Sequence, residues 1–194
     1  MHNRYYQIKT IGDAKASVQL LNGWGRHGQD LHKKLMGTDR EPITPSRSRK
    51  SIGISRSMDK PILSREELYR RITILIRHLS HTIMKLKVHP TTFYFGLGYE
   101  LKVKSKKQVT HYRVFNEKFF HELALETFKE LDIYKMQHVV YIAMSGSKFL
   151  HIDPKPVDII MFEDDMMMHK LGKQLTKIRD KYGIDMIRRG SELL

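Results

Sequence analysis

Apolar residues recur at helical spacing along a stretch in the middle of the chain. Ser64 and Glu67 stand at its start, three residues apart, as in a capping box. Burying such a stripe contributes about 1.5–3 kcal/mol per side chain, most of which conformational entropy offsets, so the helix must organise a domain rather than stand alone. The stripe, which predicts a helix of some six turns, consists of Leu68, Ile72, Leu75, Ile76, Leu79, Ile83 and Leu86.

A period of two replaces the helical spacing after this stretch. Phe93, Phe95, Leu97, Tyr99, Leu101 and Val103 alternate with Tyr94, Gly96, Gly98, Glu100, Lys102 and Lys104. This alternation predicts a strand with one buried face. Residues 104–107 are predicted to turn the chain into a second strand from Gln108 to Phe115. Gly96 and Gly98, inside the first strand of this hairpin, indicate close packing or a bulge rather than a phosphate-binding loop.

A second helix and two further strands complete the pattern. Asn116 is predicted to cap a helix that ends near Asp132, and its apolar stripe is Phe120, Leu123, Ala124, Phe128 and Leu131. His138 to Met144 reads as a central strand closed by Gly146, and Lys50 to Ser57 as the first strand. The resulting βαββαβ order predicts an α+β fold: a four-stranded, mostly antiparallel sheet with two helices on one face and the other face free.

The flanking segments divide the chain into four predicted parts. Residues 1–37 form two short helices, IGDAKASVQLLNGW and GQDLHKKLMG, and residues 38–48 form a linker with two prolines. Residues 49–150 form the α+β domain, and residues 151–194 form a tail with a helix. The turn between the first helices, with Gly23, Gly25 and Gly28, can offer backbone amides to phosphate. An ordinary helical hairpin explains it equally well.

The net charge of the chain limits the kinds of molecule that it is expected to bind. The chain has 35 lysines and arginines against 21 acidic residues, a net charge of +14 that favours polyanions such as nucleic acid or acidic lipid. The excess lies entirely in residues 1–150, because the tail holds eight charges of each sign. The lack of cysteine excludes disulfides and thiolate chemistry. The polar N-terminus and short apolar runs predict neither a signal peptide nor a membrane span.

The first strand carries the strongest candidate for polyanion binding. Alternation directs Ile52 and Ile54 toward the helices and Ser51, Gly53, Ser55 and Ser57 outward. Short outward side chains let a phosphate backbone approach main-chain amides, and Arg47, Arg49 and Lys50 supply attraction. Arg56 shares the parity of the isoleucines and is expected at the edge of the sheet. Further cations are expected along the hairpin at Lys102, Lys104, Lys106, Lys107 and Arg113.

An RNA-recognition domain shares this layout but stacks bases on aromatic residues of a defined motif. The strand FYFGLGYE lacks that motif, so phosphate contact is favoured over base stacking. Two other groups could in principle bind a metal ion. His78 and His81 lack a third ligand, however, and Glu163-Asp164-Asp165 is better explained as a capping or solvated acidic turn. Met166 to Met168 fit ordinary packing. We therefore predict no catalytic residue and no metal site in this chain.

Four stretches, in order, resemble one protein family. IKTIGDAK at 8–15, GWGRHGQDLHKKLMGTDREPI at 23–43 and RKSIGISRSM at 49–58 are similar to the end of the thumb, the linker and the first little-finger strand of Y-family DNA polymerases. LGKQLTKIRDKYGIDMIRRGS at 171–191 resembles the carboxyl end of the UmuC-like, ImpB/MucB/SamB branch. The resemblance spans nearly the whole chain.

This resemblance implies a role in lesion bypass, as part of SOS-type DNA repair in the cytoplasm. In that family the little finger holds primer-template duplex through phosphates, without sequence preference. Metal-binding carboxylates, and the Mg²⁺ they hold, belong to an upstream palm with an S-x-D-E motif, which does not occur in this sequence. The chain alone is therefore expected to be inactive as a polymerase and to be a monomer.

The resemblance also suggests a protein partner for the tail. Relatives carry a short peptide, Q-L-[SD]-L-F, that docks on the sliding clamp, at the position of residues 157–162 here. Ile159, Met161 and Phe162 keep the apolar anchors, while Asp158 replaces the glutamine. A strand or turn packed on the domain is the alternative. For the whole chain, the alternatives to a DNA-binding polymerase fragment are a basic RNA-binding module and a protein-docking domain.

Overall fold

Three short helices make up the described part of the N-terminal unit. The computed structural model describes residues 8–40, 42, 48–150 and 163–193, and the chain divides into two units at residues 48 and 49. In the first unit, α1 spans Ile11–Ala16, α2 spans Val18–Asn22 and α3 spans Arg26–Met36. Two helices were predicted here; the first is interrupted at Ser17, whose ψ of 44° is not helical.

Four antiparallel strands form the sheet of the second unit. They are β1 (Ser51–Ile62), β2 (His89–Tyr99), β3 (Lys104–Thr110) and β4 (Val139–Leu150). Their spatial order is β1-β4-β2-β3, so β4 lies between β1 and β2 as a central strand. The predicted α+β fold is confirmed, and so is the central position of the strand that begins near His138.

Two helices cover one face of this sheet. They are α4 (Arg65–Lys85) and α5 (Glu117–Leu131), capped by the side chains of Ser64 and Asn116 as predicted. The capping box of α4 is incomplete, because the Glu67 carboxylate pairs with Arg70 and Arg71 instead of the Ser64 amide. Six residues of the predicted α4 stripe are buried, but Leu86 is the C-cap residue and is 41% exposed. The core between helices and sheet includes Ile72, Ile76, Phe93, Phe95, Phe120, Phe128, Ile142 and Met144.

Several strand boundaries differ from the prediction. Strand β1 continues to Ile62 instead of ending at Ser57. The hairpin turn lies at residues 100–103, where Lys102 has a left-handed φ of 60°, so β3 begins at Lys104 rather than Gln108 and ends at Thr110. Leu101 is in this turn and is 71% exposed. Gly146 does not close β4 but lies inside it. Glycine suits this position because a Cβ there would come within 2.8 Å of Pro90 Cβ on the adjacent strand.

The C-terminal segment packs on the helical layer. Helix α6 spans Glu163–Tyr182 and is followed by 3₁₀ turns at Ile184–Met186 and Gly190–Glu192. It contacts α4 and α5, and Gly172 allows a close approach, since a Cβ there would lie 3.1 Å from Met84 Cε. The tail residues of the second unit are thus part of its folded body. Among the described residues, no helix is both long and apolar enough to cross a bilayer.

Buried ion pairs hold this segment in place. Arg77 Nε donates to both carboxylate oxygens of Glu192, at 3.0 and 2.9 Å, and Arg77 also donates to Asp185 Oδ1 at 2.9 Å. Arg77 and Glu192 are 2% and 4% exposed. Arg179 Nη1 of α6 donates to Glu117 Oε2 of α5 at 2.6 Å. Burial makes each pair costly to break, because an unpaired charge would remain in the interior.

The acidic turn at the start of α6 was predicted to be capping or solvated, which is wrong for Asp165. Its carboxylate is 3% exposed and accepts two hydrogen bonds from Arg113, at 2.9 and 2.7 Å. Asn116 Nδ2 donates a third bond to it at 3.0 Å. Asp165 therefore fastens the first turn of α6 to the segment before α5, and Arg113 also covers the ring of Phe119.

Three histidines of the second unit, His81, His89 and His169, pack around α6. His81 Nε2 lies 3.2 Å from Asp180 Oδ1 of α6. The part of the chain that the structure describes contains no group of three side chains able to hold a metal ion. His89 Nδ1 accepts a hydrogen bond from the Phe115 amide at 3.2 Å, and the rings of His89 and His169 are 5.1 Å apart.

We expect the free energy of unfolding to fall as the pH decreases from about 6.5 to 4. Burial, with smaller effects of His169 and Lys173, lowers the pKa of His89 to about 4. A histidine in the unfolded chain titrates near 6.5. The stabilising contribution of His89 is therefore complete above that pH and is lost as the pH falls toward 4. The loss for this residue is up to ~1.4 kcal/mol per pH unit.

Urea unfolding followed across this pH range checks the expectation. His89→Gln should reduce the decline without abolishing it, because burial also lowers the pKa of His78, His81, His121 and His169. His138→Gln is the matched control, since its side chain is 43% exposed. A free energy of unfolding that stays constant between pH 6.5 and 4 in the wild type would contradict the expectation.

Candidate nucleic-acid interface

The face of the sheet opposite α4 and α5 is built from four cross-strand rows. Alternation places Ile52 and Met144 on the helical side and their strand neighbours on this open face. None of the positions in these rows carries a carboxylate; the exposed Asp59 of β1 lies past the last row, where the pairing with β4 is irregular. The rows, read from β1 through β4 and β2 to β3, are Ser51-Ser147-Thr92-Thr110, Gly53-Ser145-Tyr94-Gln108, Ser55-Ala143-Gly96-Lys106 and Ser57-Tyr141-Gly98-Lys104.

Along β1 the open face carries small side chains, so the main chain lies close to the surface there. Ser51, Gly53, Ser55 and Ser57 are all exposed, as predicted from alternation. Gly53 lies close to β4, since a Cβ there would be 2.8 Å from Ser145 Cβ. Because β1 pairs only with β4, alternate main-chain amides along its outer edge have no partner in the sheet. A phosphate backbone can therefore approach this edge closely.

Two tyrosines lie on the same face over the glycines of β2. A Cβ on Gly96 would be 3.0 Å from Tyr94 Oη, and one on Gly98 would be 3.1 Å from Tyr141 Cβ. The rings thus fill the space that side chains at these glycines would take, which confirms close packing as the reason for the glycines. Tyr94 remains 37% exposed and offers part of an aromatic surface.

Cations stand at both edges of the open face. Arg49 and Lys50 are exposed where the chain enters β1. Lys104 and Lys106 are exposed on β3, the opposite edge, beside Gly98 and Gly96. Positive side chains therefore flank a strip of hydroxyls and glycines, an arrangement that suits a polyanion lying across the sheet.

Other candidate cations lie elsewhere. Lys107 has the opposite parity and pairs with Glu130 of α5, on the helical side. Arg113 follows β3 and is engaged with Asp165 and Phe119. Lys102 is exposed in the hairpin turn, outside the paired part of the strands. Arg56 is exposed on the edge strand β1, as predicted.

The glycines of the N-terminal unit form a separate candidate. Gly25 has a φ of 70° and is the N-cap of α3, and Gly23 is the C-cap of α2. Gly28 is buried, and a Cβ on it would overlap the carbonyl oxygen of Leu21 at 1.8 Å. Gly28 thus has a packing role in the helical hairpin, and its amide donates to the Gly25 carbonyl oxygen at 3.1 Å. Of the first-turn amides of α3, those of Arg26 and His27 remain able to bind an anion.

Some candidates lie outside the described residues, and some site residues were missed. Arg47 and the clamp-peptide residues Asp158, Ile159, Met161 and Phe162 are outside the described ranges. The sequence reasoning overlooked Tyr141, Ser145 and Ser147, although the strand period extended through β4 would have found them. The strand alternation predicted an outward side chain for Tyr94, but Tyr94 was not predicted to belong to the polyanion-binding surface. Lys148 next to them is exposed and has a φ of 52°.

Fold and surface together define a basic α+β domain with a bare, carboxylate-free sheet face, preceded by a small helical unit. Comparison with known proteins finds similarity to DNA polymerases. The chain is 24% identical to DNA polymerase IV of Bacillus anthracis over 96% of its own length and 47% of that protein. DNA polymerase IV of Bacillus cereus gives 24% over 96% of this chain and 46% of the relative.

A shorter match has higher identity. DNA polymerase IV of Streptococcus gordonii is 32% identical over 68 residues, which are 35% of this chain and 19% of that protein. No family model matches the chain. The chain spans about half the length of the first of these relatives. It is thus related to part of a DNA polymerase IV.

Proposed function

We propose that this chain is the DNA-binding C-terminal portion of an error-prone Y-family lesion-bypass polymerase. Its α+β domain acts as a little finger that holds primer-template duplex by its phosphates, without sequence preference. The observation that carries the proposal is the carboxylate-free open face with cations at both edges, in a chain similar to DNA polymerase IV along 96% of its length.

The chemistry of the face supports phosphate contact. Lys104 and Lys106 neutralise phosphate charge from the β3 edge, while Arg49 and Lys50 do so at the start of β1. Serine hydroxyls and edge amides along β1 then donate hydrogen bonds to phosphate oxygens. None of these groups reads base identity, so the interaction fixes position and carries no sequence information.

Finer parts of the proposal follow from the sequence resemblance. We assign the chain to the UmuC-like branch and to SOS-type damage tolerance in the cytoplasm, as a monomer. The sliding clamp is a proposed partner through residues 157–162. Mg²⁺ and the catalytic carboxylates are proposed for the palm domain of the complete polymerase, so this chain alone is expected not to extend a primer.

A salt series with three nucleic acids tests the proposal. The whole chain is titrated with primer-template duplex, single-stranded DNA and structured RNA, and the binding constant of each is measured as a function of salt. We expect weak duplex binding that is independent of sequence, with log K falling by about 0.9 per log unit of salt for each phosphate neutralised. Absence of a salt slope would contradict phosphate binding.

One observation favours RNA as the second candidate. Tyr94 and Tyr141 lie on the open face of the two central strands, where RNA-recognition domains place their stacking aromatics. A base stacked on the exposed part of Tyr94 contributes about 1–3 kcal/mol. In the same salt series, tighter binding to single-stranded RNA than to duplex DNA would select this alternative over the polymerase proposal.

A further inference from the structure

Folding pairs four acidic residues of the tail with cations from elsewhere in the chain. Asp165 pairs with Arg113, Asp180 with Lys85, and Asp185 and Glu192 with Arg77. The described arginines of the tail are also engaged, Arg179 and Arg189 with Glu117 and Arg188 with Asp185. Among the described residues, no carboxylate lies within ion-pair distance of Lys170, Lys173 or Lys177, so folding leaves these three lysines uncompensated.

These three lysines line one groove. They are spaced at i, i+3 and i+7 on α6, so they share one side of the helix and extend about 10 Å along its axis. Lys87, which follows α4, and the buried rings of His89 and His169 complete the walls of the groove. Its volume is about 550 Å³. The groove lies among α4, α6 and the start of β2, apart from the open face, whose rows contain none of these residues.

We propose that this groove binds the phosphate backbone of a single nucleic-acid strand, at a site separate from the open face. Its volume is in the range of small-ligand pockets, which admits one strand rather than a double helix. Its cationic side chains are all lysines. Lysine binds phosphate as a point charge, without the fixed geometry that a bidentate arginine contact requires.

One carboxylate, Asp180, lies among the described residues of the groove wall, and it leaves this attraction in place. Asp180 Oδ1 lies 3.0 Å from Lys85 Nζ and 3.2 Å from His81 Nε2, so its charge is already compensated. Burial, and to a smaller extent the charge of Lys173, lowers the pKa of both His89 and His169. A row of uncompensated ammonium groups beside neutral rings is a favourable surface for phosphates.

Photo-crosslinking with the whole chain tests the groove. The probe is a twelve-residue oligothymidylate that carries a photoreactive group on one phosphorothioate, and the crosslinked peptides are identified by mass spectrometry. We expect crosslinks in residues 170–177 that persist in the variant K104E/K106E, which alters only the open face. Crosslinks confined to the open-face strands would overturn the inference, whatever the outcome for duplex binding.

Charge-reversal variants provide the second measurement. K170E/K173E/K177E should lose the crosslinks in α6 and reduce the single-strand salt slope by about 2, at 0.7 per phosphate. The matched control K118E/K129E/K181E changes net charge equally at exposed lysines outside the groove. Equal losses in the two variants would show a general charge effect and overturn the site. Tighter binding of a twelve-residue polyglutamate than of the oligonucleotide, lost in K170E/K173E/K177E, would assign the groove to an acidic protein instead.

Discussion

Replacing Arg77 with leucine is expected to lower the free energy of unfolding by roughly 3–5 kcal/mol. Arg77 lies on α4 and reaches the end of the chain, where Glu192 and Asp185 accept its hydrogen bonds together with the Ile184 carbonyl oxygen. The substitution leaves the carboxylate of Glu192, whose side chain is 1% exposed, without its partner. A charge buried in this way is costly because neither water nor a cation compensates it. Urea denaturation measures the loss.

Two further variants distinguish this explanation from a general loss of packing. Arg71→Leu removes an arginine from the same helix whose side chain is 45% exposed and pairs with Glu67, and it should cost less than about 1 kcal/mol. The double variant R77L/E192L removes both buried charges and should recover much of the loss. If Arg77→Leu were no more damaging than Arg71→Leu, the buried pair would not be what holds the tail.

Reversing the two lysines on the β3 edge is expected to weaken duplex binding strongly. If Lys104 and Lys106 each neutralise one phosphate, the variant K104E/K106E loses roughly 10- to 100-fold in affinity at 0.1 M salt, since each contact contributes about 0.9 log unit there. The salt slope should decrease by about 1.8 for the same reason. Both side chains are exposed, so the free energy of unfolding should stay nearly unchanged.

Exposed lysines on α5 supply the control for this variant. K118E/K129E makes the same change of net charge on the helical side of the domain. If the duplex is held on the open face, K118E/K129E should keep most of the affinity and nearly the whole salt slope. Equal weakening by K104E/K106E and K118E/K129E would mean that overall charge, and not the open face, attracts the duplex.

Much of the fold was predictable because its patterns are local. The i, i+3, i+4 spacing of Ile72, Leu75 and Ile76 depends only on helix geometry, and the inward direction of Ile52 only on strand geometry. The side-chain caps of α4 and α5 are three-residue relations of the same kind. By contrast, the hairpin turn was placed four residues late, because Lys102 in a left-handed conformation has no distinctive sequence pattern.

That error affected the candidate site directly. Placing the turn at residues 104–107 left the directions of Lys106 and Lys107 unassigned, whereas the observed register puts Lys104 and Lys106 on the open face and Lys107 on the helical side. A strand period of two makes every such assignment depend on register. Tyr141 was missed for a related reason, since its place opposite Gly98 is set by pairing between strands that are distant in sequence.

By itself, the sequence determined the α+β class, the helical and strand faces, and a basic surface of small residues along β1. Only the tertiary structure decided which charges remain available at that surface and on the tail. Asp165, Asp185 and Glu192 pair with arginines more than 50 residues away in sequence, so these three carboxylates do not cancel the lysines of the tail locally. Net charge is a sum over the chain, whereas binding depends on which charges folding leaves unpaired and side by side.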